Sequence, residues 1–180
     1  DGALCVVDMY RYMIEHPDWL PEAGKSEMKP HERKGSAQGR IYRVVPKGQP
    51  SRPFPRLDQT TSSELVEKLS HQNGVIRDLA HRLLVERKAV SDSGQLFQMA
   101  TTNDSPKARL HALSVLDGIN RLPTGLVKSA LHDPHPQIRR HALRLAESQW
   151  DSEPALLPEA LNLVDDPDSA VRLQAACSLG

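Results

Sequence analysis

The sequence predicts a mainly α-helical fold, an α-solenoid of about four helix pairs, preceded by a short segment of strands and loop. Three observations carry this. An internal repeat runs through the last two thirds of the 180 residues. The same Asp/Asn-rich punctuation recurs inside each repeat. A proline-rich seam divides the repeats from a chemically different beginning.

The repeat aligns on an apolar-Arg pair. Its four copies are Val75-Ile76-Arg77-Asp78-Leu79-Ala80, Lys107-Ala108-Arg109-Leu110-His111-Ala112, Gln137-Ile138-Arg139-Arg140-His141-Ala142 and Ala170-Val171-Arg172-Leu173-Gln174-Ala175. The arginines are spaced by 32, 30 and 33 residues. Alanine follows each Arg at the third position: Ala80, Ala112, Ala142 and Ala175. Leu84, Leu116 and Leu179 follow at the seventh, with Ala146 replacing the leucine in the third copy. Apolar residues just before the Arg, three after and seven after share one helical face. The small alanine lets a second helix approach closely.

A second amphipathic run precedes each copy. The runs are Glu64–Leu69, Leu96–Ala100, Leu126–Leu131 and Leu156–Val164. The turns between runs read His71-Gln72-Asn73-Gly74, Asn103-Asp104-Ser105-Pro106, Asp133-Pro134-His135-Pro136 and Asp165-Asp166-Pro167-Asp168. Asn and Asp side chains cap helices, and Pro suits a first helical position. Thr61-Ser62-Ser63-Glu64 reads as a capping box that opens the first helix. One such pair cannot bury its apolar face alone, and stacked neighbours supply a continuous core.

Residues 46–57 form the seam. Pro46, Pro50, Pro53 and Pro55 forbid a helix and favour extended polyproline conformation, with Phe54 able to pin the linker to a neighbouring surface. Residues 1–57 carry 10 Lys/Arg against 7 Asp/Glu, and residues 58–180 carry 13 against 16. The whole chain is neutral, which argues against a nucleic-acid or anionic-membrane partner held by bulk charge. No apolar run approaches the ~18 residues of a membrane-spanning helix, so no membrane insertion is expected in this segment. Cys5 and Cys177 stand in no ligand spacing and make neither a zinc site nor a disulfide scaffold.

The beginning, residues 1–45, reads as two strands joined by a long loop. Asp1-Gly2 is a turn dipeptide before the apolar run Ala3–Val7, expected to be a buried strand. Gly39–Val45 alternates and predicts a second strand. The stretch from Met9 to Gly39 is polar, punctuated by Pro17, Pro21, Gly24, Pro30 and Gly35, and predicts a loop with about one helical turn. The chain opens without an initiator Met or a signal peptide and closes within a helical pattern, so it is expected to be an internal fragment.

The Arg-x-x-Ala helices with Asp/Asn-Pro turns, over residues 58–180, resemble the HEAT repeat family in its short bacterial form, related to the phycobilin-lyase-like repeats. The strings Asp1–Arg11, Ile14–Trp19 and Gly39–Val44 resemble the last propeller blade of a family of large secreted bacterial proteins described as membrane-bound dehydrogenases. That family joins a propeller similar to those of soluble quinoprotein sugar dehydrogenases to HEAT-like repeats and, often, a c-type haem domain. The resemblance implies a periplasmic or secreted parent, possessed of pyrroloquinoline quinone (PQQ) and c-type haem. It implies no cofactor in this fragment, which has no Cys-x-x-Cys-His.

Four groups are candidate sites. The arginine ladder, Arg77, Arg109, Arg139 and Arg172, with the alanines of its register, reads as structural: each Arg bonds the turn of its own or the preceding repeat, bidentate where a carboxylate is present. An anion-binding stripe is the alternative. His111 and His141 share a register, with His132 and His135 nearby. Stacked helices ~8–10 Å apart keep such histidines from one metal, so no metal site is assigned. Asp165, Asp166 and Asp168 lack the glycine and distal glutamate of a calcium loop and read as helix caps. Asp8, Tyr10, Arg11 and His16 follow a strand where propeller loops reach a ligand. Asp8 or His16 would act there as general base and Arg11 would position substrate. The alternative is an Asp8–Arg11 pair that holds the loop.

The expected function is a non-catalytic interaction and spacer module, its partner a protein or a neighbouring domain of the same chain. The alternative is a piece of a quinone-dependent sugar or alcohol dehydrogenase whose active site lies mostly outside it.

Overall fold

A computed structural model describes residues 3–13, 16–48, 53 and 55–180. The expectations for Asp1-Gly2, for Ile14-Glu15, for residues 49–52 of the proline seam and for Phe54 lie outside the described residues. The chain divides into two compact units, Asp1–Pro55 and Arg56–Gly180.

In the first unit, β1 (Leu4–Asp8) and β2 (Arg40–Val44) pair antiparallel, with Val6 opposite Tyr42 and Asp8 opposite Arg40. The strand over residues 3–8, expected to be buried, is not: Leu4 is 65% and Val7 72% exposed. A two-stranded ribbon has no second layer to cover either face. The connecting loop holds more helix than expected. A 3-10 turn at Pro17–Trp19 is followed by α1 (Glu22–Met28) and a second 3-10 turn at Lys29–His31. Pro21 at the N-cap presets the entry, Glu22 suits the positive end of the helix, and Lys25 bonds Glu22 at 2.6 Å. Where the loop folds back, Gly35 sits at φ +84, and a Cβ there would lie 1.9 Å from the Tyr10 carbonyl oxygen. Only glycine lets the two segments cross so closely.

The second unit is helical: α2 (Ser62–Lys68), α3 (Gly74–Glu86), α4 (Ser93–Thr102), α5 (Pro106–Gly118), α6 (Thr124–Leu131), α7 (Pro136–Glu147), α8 (Leu156–Leu161) and α9 (Ser169–Leu179). These pack as α2 on α3, α4 on α5, α6 on α7 and α8 on α9. The second members meet in the order α3, α5, α7, α9, while α2 meets α4 and α6 meets α8. Among the described residues, every buried apolar side chain lies at or after Leu57. Ala80, Ala112, Ala142 and Ala175 are fully buried, as the register predicts, and so are Leu84 and Ala146. An added side chain at any of these alanines would have to displace a packed neighbour.

The caps follow the sequence in most places. Thr61 and Glu64 make the reciprocal capping box. Asn73, His135 and Asp168 each accept from the first turn of α3, α7 and α9. The exits are less regular. Just beyond α3 and α5, Lys88 (φ 50) and Asn120 (φ 55) adopt the left-handed conformation that closes a helix. Asparagine tolerates that backbone, and lysine does so only at a cost.

Candidate functional site

The arginines are the connectors of the helical unit. In all four turns, one guanidinium nitrogen, Nη1, donates to two consecutive carbonyls of its own turn. Arg77 reaches His71 and Gln72, Arg109 reaches Asn103 and Asp104, Arg139 reaches Asp133 and Pro134, and Arg172 reaches Asp166 and Pro167, at 2.7–3.3 Å. The first residue of each carbonyl pair also folds its side chain back onto the backbone. His71, Asn103, Asp133 and Asp166 accept from the N–H two residues on, at 2.8–3.0 Å. The turn and its arginine therefore form one hydrogen-bonded unit of seven residues.

The other edge of the guanidinium reaches forward. Arg109 donates from Nε and Nη2 to both carboxylate oxygens of Asp133 at 2.9 and 2.8 Å. Arg139 does the same to Asp166 at 2.7 and 2.8 Å. The bidentate geometry was expected, but its direction was not. Each fork holds the turn of the following pair, and none holds the preceding one. These pairs are almost dry: Asp166 is 5% and Arg109 8% exposed. The Arg139 guanidinium holds the Asp166 carboxyl below the usual carboxylate range, and Asp166 in turn raises Arg139.

The first rung of the ladder is incomplete. The residue that should face Arg77 is Asn103, whose amide cannot accept two parallel N–H bonds. Asn103 turns its amide nitrogen to Ser70 instead, at 3.3 Å, and Arg77 Nε is buried with no hydrogen-bond partner among the described residues. This orphan donor explains itself as a substitution in an otherwise regular series.

A row of histidines lies along α3, α5 and α7. The sequence pointed to His111 and His141, but the structure brings His111 against His81 on α3, Nδ1 to Nδ1 at 3.2 Å with the rings edge-on. His81 escaped notice because it stands four residues after its Arg, whereas His111 and His141 stand two after theirs. Asp78 lies 3.7 Å from His111 Nε2. His141 bonds Ser114 at 2.8 Å, and Ser114 gives its own proton to the Leu110 carbonyl at 2.9 Å. His141 therefore donates from Nε2. Burial and the charges of Arg144 and Arg140 push it down to about 4, while burial also lowers His81 and His111. His132 and His135 do not join this row. His132 bonds Glu159, which also takes Lys128, and His135 caps α7. No group of three His, Cys, Asp or Glu able to hold a metal occurs among the described residues. Asp166 and Asp168 act as turn and cap residues, as read from the sequence, while Asp165 is exposed.

The first unit holds the remaining candidates. Tyr10, Arg11, Tyr12, Lys34, Gly35 and Gln38 line an open cleft of about 340 Å³. Asp8 sits in an adjoining cleft with Met9, Tyr10 and Tyr42. Asp8 and Arg11 do not pair with each other. Asp8 accepts from the Tyr10 N–H and lies 3.7 Å from Arg40, and Arg11 donates to the Glu32 carbonyl. Arg40 stacks over Tyr10 at 4.3 Å, and Lys34 sits over Tyr12 at 5.5 Å. His16 is apart from both clefts, exposed beside Asp18. These contacts close a loop onto a hairpin, and Asp8, Arg11 and Lys34 are each engaged in one of them.

A family description, Domain of unknown function (DUF7133), matches residues 1–48. Its match ends short of Arg56, where the helical unit begins. No curated protein and no solved structure gave a match.

Two outcomes follow for stability. Asn103→Asp gives Arg77 its missing carboxylate and should raise stability by about 1 kcal/mol, read from the denaturant midpoint at unchanged slope. A neutral or destabilising result would mean that Arg77 Nε is not the defect. The histidines give the second. Their folded pKa values lie below the ordinary value of about 6.5, so the unfolded chain binds more protons as pH falls below that point. Stability should be flat above pH 7 and fall by about 2 kcal/mol toward pH 5. His141→Gln should flatten that slope. A wild-type stability independent of pH over this range would place these histidines in water.

Proposed function

We propose that residues 58–180 are a HEAT-like α-solenoid that works as a non-catalytic protein-interaction and spacer module in a larger secreted protein. One observation carries this reading: the forward arginine–aspartate ties, which lock successive helix pairs in register and leave their outer faces free to meet another surface. Such a scaffold serves positioning, and its chemistry is recognition of protein surfaces. The partner is a protein or a neighbouring domain of the same chain. Charge supports the same reading, since the repeat part is acidic and offers no basic groove for nucleic acid. No helix among the described residues is long and apolar enough to cross a membrane.

The reading of residues 1–45 as the last blade of a dehydrogenase propeller rests on the resemblance of three strings. The exposed two-stranded ribbon suits it, because its apolar residues and both its edges await other strands. In the alternative reading, that blade contributes to a quinone-dependent sugar or alcohol dehydrogenase. The residues present do not fit the cofactors. Arg11 is tied to the Glu32 carbonyl and Lys34 to the Tyr12 ring, so neither is a ready clamp for a quinone carboxylate. Neither cysteine belongs to a haem-attachment motif.

One assay bears on the choice: the dehydrogenase site would lie mostly outside these residues, so activity in this chain, and not its lack, separates the readings. The 180-residue chain, mixed with PQQ, calcium, an electron-accepting dye and a panel of aldoses and alcohols, should reduce no dye above a protein-free control. Dye reduction that requires the chain and is lost in Arg11→Ala would favour the dehydrogenase reading.

A further inference from the structure

The four helix pairs do not end alike. The outer helix of the first pair, α2, exposes Glu64, Glu67 and Ser70 just beyond its end. The last pair exposes apolar side chains. Along and just after α8, Leu157 is 41%, Leu161 49% and Val164 43% exposed, at spacings of four and three that form one stripe. On α9, Ala176 is exposed at the register position, four after the Arg, where Leu113 and Leu143 are fully buried. Leu173 beside it is 66% exposed. A terminal pair of a repeat array ordinarily carries a polar outer face, as α2 does here.

Arg172 is the second, independent observation. Its Nη1 holds the carbonyls of its own turn, as in the other three arginines. In Arg109 and Arg139 the opposite edge grips an aspartate from the following turn. No carboxylate takes that edge of Arg172 among the described residues. The guanidinium is thus set in place by one edge, on the same helix pair that exposes these apolar side chains.

We propose that the outer face of α8 and α9 is a docking surface for a helix pair whose turn carries an aspartate. Leu157, Leu161, Val164 and Leu173 meet the apolar face of that pair, and its aspartate completes Arg172 as Asp133 completes Arg109. A second copy of this chain does not supply the same chemistry through its first pair, because the turn before α3 carries His71 at the required position and no carboxylate. The inference deepens the reading of the helical unit as a protein-interaction module and rests on it.

The chain's own period supplies the probe. Gly180 stands eight residues after Arg172, as Glu147 stands eight after Arg139. A copy of residues 148–180 fused after Gly180 therefore places its Asp166 at the distance from Arg172 that Asp166 now has from Arg139. Circular dichroism and thermal melting of the fused protein are compared with the 180-residue chain. The added segment should contribute helix at the same signal per residue, and the melting point should rise by about 3–8 °C. Asp166→Asn made in the appended copy alone should cancel roughly half of that rise. Leu157→Glu with Leu161→Glu should abolish it without lowering the melting point of the 180-residue chain. A disordered appended segment, or one that orders equally well with asparagine, overturns the proposal. So does a 180-residue chain that sediments as a dimer and dissociates on Leu157→Glu, since a second copy would then be the occupant. The module reading is separable from these outcomes, because it falls only on the dye assay.

Discussion

Everything in the helical unit depends on how one guanidinium is shared between two turns. Arg109 and Arg139 each close their own interhelical turn through two carbonyls and hold the next turn through a carboxylate. The receiving carboxylate does two jobs as well. Asp133 and Asp166 each accept the fork from behind and a backbone N–H from two residues ahead. Removing these charges from water costs several kcal/mol per ion, and good bidentate geometry with further hydrogen bonds returns much of it. The net effect on stability is modest. The effect on register is larger, because the fork makes two parallel bonds to one carboxylate of the following turn.

Packing then follows from the register. With successive turns fixed, the alanine three residues after each Arg is fully buried, in one core with the leucines of the helical unit. The histidine row runs beside this core, half in water and neutral at ordinary pH, which makes it the acid-sensitive part of the unit. Asn103 marks where the series is weakest, and the outer face of α8 and α9 marks where it is unfinished.

Much of this is legible in the amino-acid sequence. The Arg period, the alanine three positions on and the capping residues are local or periodic signals, and each helix of the second unit formed where they placed it. The direction of the arginine fork was not legible, because a period of 30–33 residues is the same read forwards or backwards. The His81–His111 contact was hidden for a related reason. Neighbouring helices are offset along their axes, so residues that touch stand at different positions of the repeat. Lys88 gave no sign that it would adopt a left-handed backbone, since a lysine there carries none of glycine's signature. In the first unit, the apolar run at residues 3–7 announced a strand correctly and its burial wrongly, because burial needs a partner layer that a ribbon does not possess.

The most direct test is a double-mutant cycle on Arg139 and Asp166, using Arg139→Gln, Asp166→Asn and both together, with unfolding free energies read from denaturant curves at pH 7. If the forward fork couples successive pairs, the double mutant should be more stable than the sum of the single losses implies, by about 1–3 kcal/mol. A coupling within error of zero, with each single change costing the same in either background, would contradict the account. The arginines would then serve only their own turns.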